Sequence, residues 1–282
     1  MSVPVPATSP TRVATRRRYL MCPPEHFAVS YAINPWMDLT VPVDCGAATR
    51  QWEVLRRTYL DLGHEVEVIA AEPGLPDMVF AANGGLVVDG RALGARFTYE
   101  QRQAEGPAYQ RWFRHAVSLG ALTEAVVPGH TNEGEGDFLT VGGKILAGYG
   151  FRTDPAAHAE VQEMFGLPVI GLHLVDPRYY HLDTALAVLD HATVAYYPNA
   201  FSQASRALLA SLFPDAIIAS DEDAAVLGLN AVSDGHNVVL PIQAGRLAYT
   251  LRERGFNPIG VNLSELRKAG GGVKCCTLDL RP

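Results

Sequence analysis

The chain has little of what marks several common classes of protein. Only four of its 282 residues are cysteine, and no two of them form a CxxC pair, so neither a disulfide scaffold nor a zinc ribbon is indicated. No apolar run approaches the roughly 20 residues that a membrane helix needs. Charged residues make up 19% of the chain and the net charge is −7, which disfavours nucleic acid and anionic membranes as partners. We therefore expect a cytoplasmic protein whose partner is a small molecule.

Nucleotide and metal sites also lack their usual signatures. The sequence has no GxGxxG before a helix and no GxxxxGK[ST], so no nucleotide-binding loop is predicted. Its nine histidines form no HxxxH with a nearby carboxylate. No metal and no organic cofactor are therefore expected.

The amino-terminal segment differs from the rest of the chain. Residues 1 to about 16 are rich in proline, serine, threonine and arginine and contain no acidic residue, which predicts a flexible tail. A transit peptide or a twin-arginine signal is the alternative, although two prolines and a glutamate at 23–25 interrupt the stretch that follows. No Gly, Ser or Pro linker divides residues 17–282, which are predicted to form a single domain.

Hydrophobic periodicity predicts an α/β protein. Short β-like runs alternate with five amphipathic segments, in which apolar residues recur at three- and four-residue spacing. Adjacent strands occur in pairs, and Asp89-Gly90 predicts the turn of a hairpin. The indicated unit is strand–strand–helix–strand, used about five times. The helices are expected near 47–62, 108–119, 155–165, 203–213 and 244–254.

A candidate nucleophile lies near the carboxyl terminus. The segment AGGGVK leads directly into Cys275 and Cys276, and a glycine-rich loop can present a cysteine to a cleft. Lys274 beside it is expected to favour the thiolate. The two adjacent cysteines are expected on a short strand, where they point to opposite faces, so that only one faces a site. The alternative is that both are small buried hydrophobic residues.

Two further groups could act on a cation. His181 and Asp183 would share one face of a strand, where the histidine moves a proton and the aspartate holds positive charge. The alternative is a structural histidine. Glu133, Glu135 and Asp137 alternate with glycines and would repel one another unless they share a cation or a proton. A solvated acidic turn is the alternative there, and the spacing does not match an EF-hand.

Two arginines could recognise a carboxylate. Arg102 and Arg152 each follow a predicted strand, and either can supply the bidentate guanidinium fork that carboxylates select. Exposed arginines on turns are the alternative.

These segments occur in one order along the chain, from Tyr19 to the end. Together they resemble the guanidine-modifying, or pentein, superfamily, and within it bacterial arginine dihydrolases, which residues 21–37 also resemble. Arginine deiminases and dimethylarginine dimethylaminohydrolases are more distant relatives. The resemblance implies a five-bladed α/β propeller of ββαβ units. The segments that carry it are PDMVFAANGG, RQAE, EGEGD, GYGFRT, YHLDT and GGVKCCTL.

The resemblance also implies catalytic roles. Cys275 would be the nucleophile, with Cys276 facing away, and His181 the general acid and base. Glu133 would orient His181 and bind a guanidinium nitrogen. Because EGEGD has one more residue than the deiminase EGGD, Glu135 is left as an alternative to Glu133.

Substrate-binding roles follow in the same way. Asp183 would hold the guanidinium, and the two arginines would hold the amino-acid carboxylate. The chain has asparagine at 83, where deiminases and dimethylarginine hydrolases carry aspartate. Dihydrolase-like relatives share that asparagine and a second one, which is Asn34 here. Dimethylarginine hydrolases generally lack the aspartate of HLDT, which is Asp183 here. The implied substrate-binding residues are Asn34, Asp77, Asn83, Arg102, Arg152 and Asp183.

The activity implied is hydrolysis at the guanidinium carbon of free arginine through a covalent cysteine adduct. A dihydrolase, which yields ornithine, ammonia and carbon dioxide, is the expectation. The alternatives are a deiminase that yields citrulline, a dimethylarginine hydrolase, an amidinotransferase, and a non-catalytic arginine-binding regulatory protein. The oligomeric state is left open, and a homo-oligomer is compatible with the sequence.

Overall fold

The strands form five small sheets. The computed structural model describes residues 12–282, and in that range fifteen strands are grouped in five sheets of three. The strands are β1 (Arg18–Met21), β2 (Glu65–Val68), β3 (Gly85–Val88), β4 (Arg91–Gly94), β5 (Glu124–Val126), β6 (Phe138–Val141), β7 (Lys144–Tyr149), β8 (Val169–His173), β9 (Leu186–Val188), β10 (Val194–Tyr196), β11 (Ile217–Ile218), β12 (Val232–Ser233), β13 (Asn237–Pro241), β14 (Asn257–Val261) and β15 (Leu278–Asp279).

Five longer helices connect these strands, and four short helices precede or follow them in the described range. The longer ones begin and end within a few residues of the five predicted amphipathic segments, which confirms the helix predictions. The helices are α1 (Cys45–Asp61), α2 (Glu100–Gln103), α3 (Glu105–Ser118), α4 (Ala156–Phe165), α5 (Leu182–Ala185), α6 (Gln203–Leu212), α7 (Asp221–Ala224), α8 (Gly245–Glu253) and α9 (Ser264–Arg267).

Every sheet repeats one connection. Its middle strand pairs antiparallel with the first strand and parallel with the third, and one longer helix crosses from the middle strand to the third. A parallel neighbour requires such a crossover, whereas an antiparallel one needs only a turn. The first hairpin turns at Asp89 (φ 51°) and Gly90 (φ 69°), which are the positive φ values of a two-residue turn. These are the ββαβ units of a five-bladed propeller, as predicted.

The ends of the chain close the ring. The fifth sheet has the order β15-β1-β2, so its first strand comes from the carboxyl terminus and its other two from the amino terminus. Tyr19 pairs with Asp279, and Leu20 with Leu278. The first strands of the units, β3, β6, β9, β12 and β15, lie around the axis, and the helices pack outside the sheets.

The predicted tail lies mainly outside the described residues. Of the part that is described, Arg12 pairs with Asp190 and stacks on the ring of Phe256. The Thr15 amide donates to Asp234 O at 2.8 Å. Residues 12–15 therefore contact the domain.

Within residues 12–282, no helix combines the length and the apolar character needed to cross a bilayer.

Candidate active site

The propeller gathers the candidate residues at one end of its axis. In each unit a short irregular segment precedes the first strand, and all first strands leave the same end. These segments bring together side chains that are far apart in sequence. They comprise residues 76–84 before β3, 133–137 before β6, 180–185 before β9, 227–231 before β12 and 271–277 before β15.

Cys275 lies in a turn, and the prediction that it lies on a strand is wrong. The Cys276 amide donates to Gly272 O at 3.2 Å and the Thr277 amide to Lys274 O at 2.9 Å, so the backbone is coiled here and β15 begins only at Leu278. Cys275 is 2% exposed and Cys276 is completely buried. The coiled turn separates the two cysteines without the alternation of a strand.

The Cys275 sulfur has two polar side-chain partners. Its Sγ lies 3.3 Å from Asp183 Oδ2 and accepts a hydrogen bond from Asn230 Nδ2 at 3.1 Å. Burial and the neighbouring Asp183 carboxylate raise the pKa of the Cys275 thiol above its ordinary value. Burial likewise raises the pKa of Asp183 to about 7. Without a bound cation, the thiol therefore keeps its proton and shares it with the carboxylate.

The expected help from Lys274 is not found. Its Nζ donates to Glu135 Oε2 at 2.6 Å and to Thr277 O at 2.8 Å. The ammonium is therefore paired with Glu135 rather than directed at the sulfur, and its charge acts on the site by opposing the raised pKa of Asp183.

His181 and Asp183 do not lie on a strand, which corrects the prediction. His181 immediately precedes the short helix α5, and Asp183 lies within that helix. The Thr184 hydroxyl donates to His181 O at 2.7 Å and fixes this turn. His181 and Asp183 nevertheless both belong to residues 180–185, one of the five segments at the same end of the propeller axis.

A buried chain of charges orients His181. Its Nε2 lies 2.7 Å from Glu133 Oε2, which also accepts from Arg152 Nη1 at 2.9 Å. Burial acts to raise the pKa of Glu133, but Arg152 and His181 outweigh it and hold that pKa below the ordinary value. Glu133 is therefore an anion that fixes the His181 ring and leaves Nδ1 for other contacts.

Glu135 points away from His181. It binds Lys274, the Arg281 guanidinium and the Asp279 amide, the last at 3.0 Å. Gly134 between the two glutamates has φ +54°, and a Cβ there would lie 2.5 Å from Gly85 O. The two carboxylates thus diverge, and Glu133 is the one in contact with the histidine.

The Asp137 carboxylate connects two other segments of the chain. Its carboxylate accepts from the Leu182 amide at 3.0 Å and from the Thr153 hydroxyl at 2.7 Å. Burial raises its pKa to about 6, opposed by His181. Sequence reasoning treated Asp137 only as part of an acidic turn, whereas it positions the backbone next to His181.

Arg102 is largely occupied by protein groups. It lies in α2 and donates from Nε and Nη2 to Glu105 at 2.9 and 2.7 Å, and from Nη1 to Asn83 Oδ1 at 3.0 Å. Nη2 also donates to Asp77 O at 3.3 Å. Of the five N–H groups of an arginine, one is left for a ligand carboxylate. The contacts make Arg102 chiefly a support for Asn83 and Asp77.

Arg152 is less occupied. Besides Glu133, its guanidinium donates among residues 12–282 only from Nη2 to Ile33 O, at 3.1 Å. It lies between the rings of Tyr99 and Tyr180, with centroids 4.6 and 4.5 Å away. Three N–H groups are left, so Arg152 is the better placed of the two arginines to meet a carboxylate.

Asn34 belongs to the loop over residues 22–44 that covers the site. Its Nδ2 donates to Ala269 O at 3.0 Å and its Oδ1 accepts from the Trp36 amide at 2.9 Å. In the same loop, the Tyr31 hydroxyl donates to Asp77 Oδ2 at 2.9 Å. Asn34 ties the loop to the segment before Cys275, and both ends of its amide are engaged.

Four buried polar atoms of the candidate site residues have no hydrogen-bond partner among the described residues. They are Asp77 Oδ1, Asn83 Nδ2, His181 Nδ1 and Asp183 Oδ1. A Cβ on Gly136 would lie 2.4 Å from Asn83 Nδ2 and 3.2 Å from His181 Nδ1, so these two atoms are neighbours. Leaving a buried polar atom unpaired is costly, so these atoms point to a polar ligand.

No group of three or more His, Cys, Asp or Glu side chains in residues 12–282 is arranged to hold a metal ion.

Sequence reasoning missed several residues that shape this site. Glu105 stands three residues after Arg102, and this i,i+3 spacing could have indicated the pair. Tyr31, Asn230 and Asp137 gave no comparable signal, because their partners are 46, 45 and 45 residues away.

Comparisons with known proteins agree with this geometry. No family model matches the chain. A protein of Mycobacterium tuberculosis named N(G),N(G)-dimethylarginine dimethylaminohydrolase is 58% identical over 275 residues, covering 97% of this chain and 89% of that protein. The bifunctional arginine dihydrolase/ornithine cyclodeaminase ArgZ of Synechocystis is 35% identical over 93% of this chain and 37% of its own length.

Solved structures show the same fold. The amino-terminal domain of ArgZ, as a cysteine-to-serine mutant bound to substrate, superposes with a TM-score of 0.88 at 34% identity, over 94% of this chain and 98% of that one. A dimethylarginine dimethylaminohydrolase adduct gives a TM-score of 0.75 at 20% identity, covering 94% of this chain and 100% of that one. The second likeness concerns the fold alone.

Fold, site and relatives together define an enzyme that modifies guanidino groups, and the chain belongs to the pentein superfamily. Within that superfamily it is a hydrolase of C–N bonds in the guanidino group of arginine or an arginine derivative.

Proposed function

We propose that the chain hydrolyses the guanidino group of free, unmethylated arginine and carries the reaction on to ornithine, ammonia and carbon dioxide. The observation that carries this proposal is the set of unpaired buried atoms of the candidate site residues. The set comprises two carboxylate oxygens, one imidazole nitrogen and one amide N–H. Asp183 contacts the sulfur, and Asn83 Nδ2 and His181 Nδ1 are neighbours.

The acceptors in this set suit a guanidinium. That group presents five N–H donors and no acceptor. Asp77 Oδ1 and Asp183 Oδ1 are free to accept, and His181 Nδ1 can accept when Nε2 donates to Glu133. Carboxylates on the guanidinium nitrogens fix its orientation and keep it cationic, which preserves the electrophilic carbon.

The position of Asp183 supports an unmethylated substrate. Its carboxylate lies 3.3 Å from the sulfur that attacks the guanidinium carbon, so it would meet a terminal nitrogen. A dimethylated nitrogen has no N–H to donate and would place methyl groups against a buried carboxylate. Free arginine keeps these hydrogen bonds.

Arg152 is proposed to hold the substrate carboxylate. It has three N–H groups left after its bonds to Glu133 and Ile33 O. The remaining N–H of Arg102 is proposed as a second contact. The role of Asn34 is proposed to be closure of the covering loop through Ala269 O.

The first half of the proposed reaction forms a covalent adduct. A guanidinium beside Asp183 compensates the charge that raises the pKa of the Cys275 thiol, so the substrate itself favours the thiolate. The thiolate attacks the guanidinium carbon, and His181 delivers the proton lost by the thiol to the departing nitrogen. Ammonia leaves and an S-alkylthiouronium remains on Cys275.

The second half releases the product. His181 takes a proton from water, the resulting hydroxide attacks the thiouronium carbon, and the carbon–sulfur bond breaks to give citrulline and the free thiol. In a further round on citrulline, Cys275 displaces ammonia from the ureido carbon, water releases a carbamate from the sulfur, and the carbamate splits into ornithine and carbon dioxide. Asn83 supports this round. Its Oδ1 is fixed by Arg102 Nη1, so Nδ2 can donate to the ureido oxygen of citrulline, which an aspartate would repel.

A second candidate is hydrolysis of dimethylarginine to citrulline and dimethylamine. It is favoured by the 58% identity to the protein of Mycobacterium tuberculosis that carries that name.

Product analysis separates these functions. Purified protein is incubated separately with arginine, citrulline and asymmetric dimethylarginine, and the products are identified by mass spectrometry, with the Cys275→Ser variant as control. We expect ornithine from both arginine and citrulline. Turnover of asymmetric dimethylarginine alone, giving dimethylamine and citrulline, would overturn the proposal in favour of the second candidate. No turnover of any of them would indicate a binding protein.

The role of Asn83 has its own test. In Asn83→Asp, the ratio of ornithine to citrulline formed from arginine is expected to fall. An unchanged ratio would contradict the account of the second round.

A further inference from the structure

Asn230 lies between the nucleophile and the segment that carries Asp183. It is completely buried in the turn before β12. Its Oδ1 accepts from the Cys275 amide at 3.1 Å, and its Nδ2 donates to Asp183 O at 3.2 Å and to Cys275 Sγ at 3.1 Å. Neither the resemblance nor the relatives pointed to this residue.

The backbone partners fix which way the amide faces. The Cys275 N–H can only donate and Asp183 O can only accept, so oxygen and nitrogen of the Asn230 amide cannot exchange places. One N–H of Nδ2 is used by Asp183 O, and the other is therefore directed at the sulfur. The donor to Sγ is held by two independent bonds.

The turn that presents Asn230 is strained. Leu227 has φ 57°, in the left-handed region that is unfavourable for a non-glycine residue. Such conformations persist where the surrounding structure holds them and concentrate at functional sites. Gly272 packs against this turn as well, because a Cβ there would lie 2.8 Å from Asn230 Oδ1.

The other groups near the sulfur mostly disfavour its charged form. Asp183 faces it from α5, and Tyr180 from the segment just before, while Cys276 and Lys274 belong to its own turn. Lys274 is paired with Glu135. Among the described residues, Asn230 and the Gly272 backbone are thus the polar groups that favour a negative sulfur.

We infer that Asn230 is a catalytic residue, whose amide N–H stabilises the Cys275 thiolate while its carbonyl oxygen fixes the backbone of the nucleophile. A hydrogen bond to a charged acceptor is stronger than one to a neutral acceptor, so the bond strengthens when the thiol ionises. This assignment rests on the proposed role of Cys275, but it concerns the resting enzyme and can be tested without substrate.

The test is the pH dependence of Cys275 alkylation by iodoacetamide in the absence of arginine. Fragment-ion mass spectrometry distinguishes Cys275 from Cys276. Wild type is compared with Asn230→Ala, which removes the donor, and Asn230→Asp, which replaces it with an acceptor. The midpoint of the titration is expected to rise by about one pH unit or more in Asn230→Ala, and further in Asn230→Asp.

Asn237→Ala is the matched control. Asn237 is a largely buried asparagine of the same unit, and it binds Asp234 and Asn257 rather than any group of the site. Its loss is expected to lower stability while leaving the alkylation midpoint unchanged. Should Asn230→Ala fail to fold, as judged by circular dichroism, Asn230→Ser takes its place.

The outcomes separate the two proposals. Unchanged midpoints in folded Asn230 variants overturn the assignment, even if arginine is consumed. Shifted midpoints support it, even if the wild type consumes none of the tested substrates, in which case the proposed function alone fails. With a substrate that is consumed, kcat of Asn230→Ala is expected to fall at least about tenfold.

Discussion

Asp183 disfavours ionisation of the Cys275 thiol, and it is also placed to orient the guanidinium of the substrate. In the unliganded protein it holds the thiol proton and raises the pKa of Cys275. Once a guanidinium is bound, the same carboxylate is proposed to orient the electrophile. Binding of the guanidinium would then favour ionisation of the nucleophile, which limits its reaction with other electrophiles.

Replacement of Asp183 by asparagine should therefore separate thiol reactivity from turnover. In Asp183→Asn, we expect the alkylation midpoint of Cys275 to fall, because the neighbouring negative charge is gone. Arginine turnover should nevertheless fall by roughly 10- to 150-fold, the equivalent of losing a charged hydrogen bond. Parallel alkylation and kinetic measurements check this. A simultaneous fall in both reactivity and turnover would contradict the dual role.

The same substitution should change the pH dependence of stability. Because burial raises the pKa of Asp183 to about 7, its contribution to stability is present below the unfolded pKa of about 4 and is lost as the pH rises through 7. Asp183→Asn is thus expected to be more stable than wild type at pH 8, by ~2 kcal/mol, and to lose this advantage near pH 4. Urea denaturation at both pH values measures the difference. An advantage that is equal at the two pH values would exclude ionisation as its cause.

At the scale of elements, sequence patterns located the helices better than the site segments. The amphipathic helices follow from apolar spacing, as in α3 and α8, and the Asp89-Gly90 hairpin follows from turn chemistry. His181 and Cys275 were placed on strands because each stands near a β-like run. Both lie in turns, whose conformation is set by contacts with distant segments, such as Ala82 N with Cys275 O at 3.0 Å.

The turn over residues 133–137 depends on glycine for the shape of the site. Gly136 faces the site, where a Cβ would lie 2.4 Å from Asn83 Nδ2 and 3.2 Å from the His181 ring. Its φ is not positive, so alanine imposes no backbone strain of the left-handed kind. Gly136→Ala should displace the Asn83 amide, reduce turnover by more than about tenfold, and leave the protein folded.

Steady-state kinetics and thermal denaturation together check this expectation. Gly143→Ala is the control for a glycine with free space around its α-carbon, although its φ is +74°. It should lose some stability and keep its kcat. Full activity in Gly136→Ala would show that the Asn83 amide is dispensable.

At the scale of the whole molecule, the resemblance located the site better than any single motif. Five units each contribute one segment, so the partners of Cys275 lie 45 and 92 residues away. Periodicity alone predicts the unit and its repetition but not which residues meet at the axis. Asn230 and Tyr31 have no local sequence signal, because their partners lie in other units.

The ring depends on a buried charge cluster at its closure. Glu135 is completely buried, and Arg281, next to the closing strand, pairs with it. Removing Arg281 leaves the buried Glu135 with Lys274 as its cationic partner, so Arg281→Met should lower the free energy of unfolding by about 2 kcal/mol. Urea denaturation measures this. Arg16→Met is the control, because the Arg16–Glu65 pair is exposed and should contribute less than about 1 kcal/mol.

The distribution of the site over all five units has a consequence for how the chain can be divided. A break at the Gly142-Gly143 turn, at the end of the axis away from Cys275, would leave Glu133 on one fragment and both His181 and Cys275 on the other. Neither half could process a guanidino group by itself. Co-expressed halves that reassembled would regain turnover. The rate of turnover would then measure how much of the two fragments had associated.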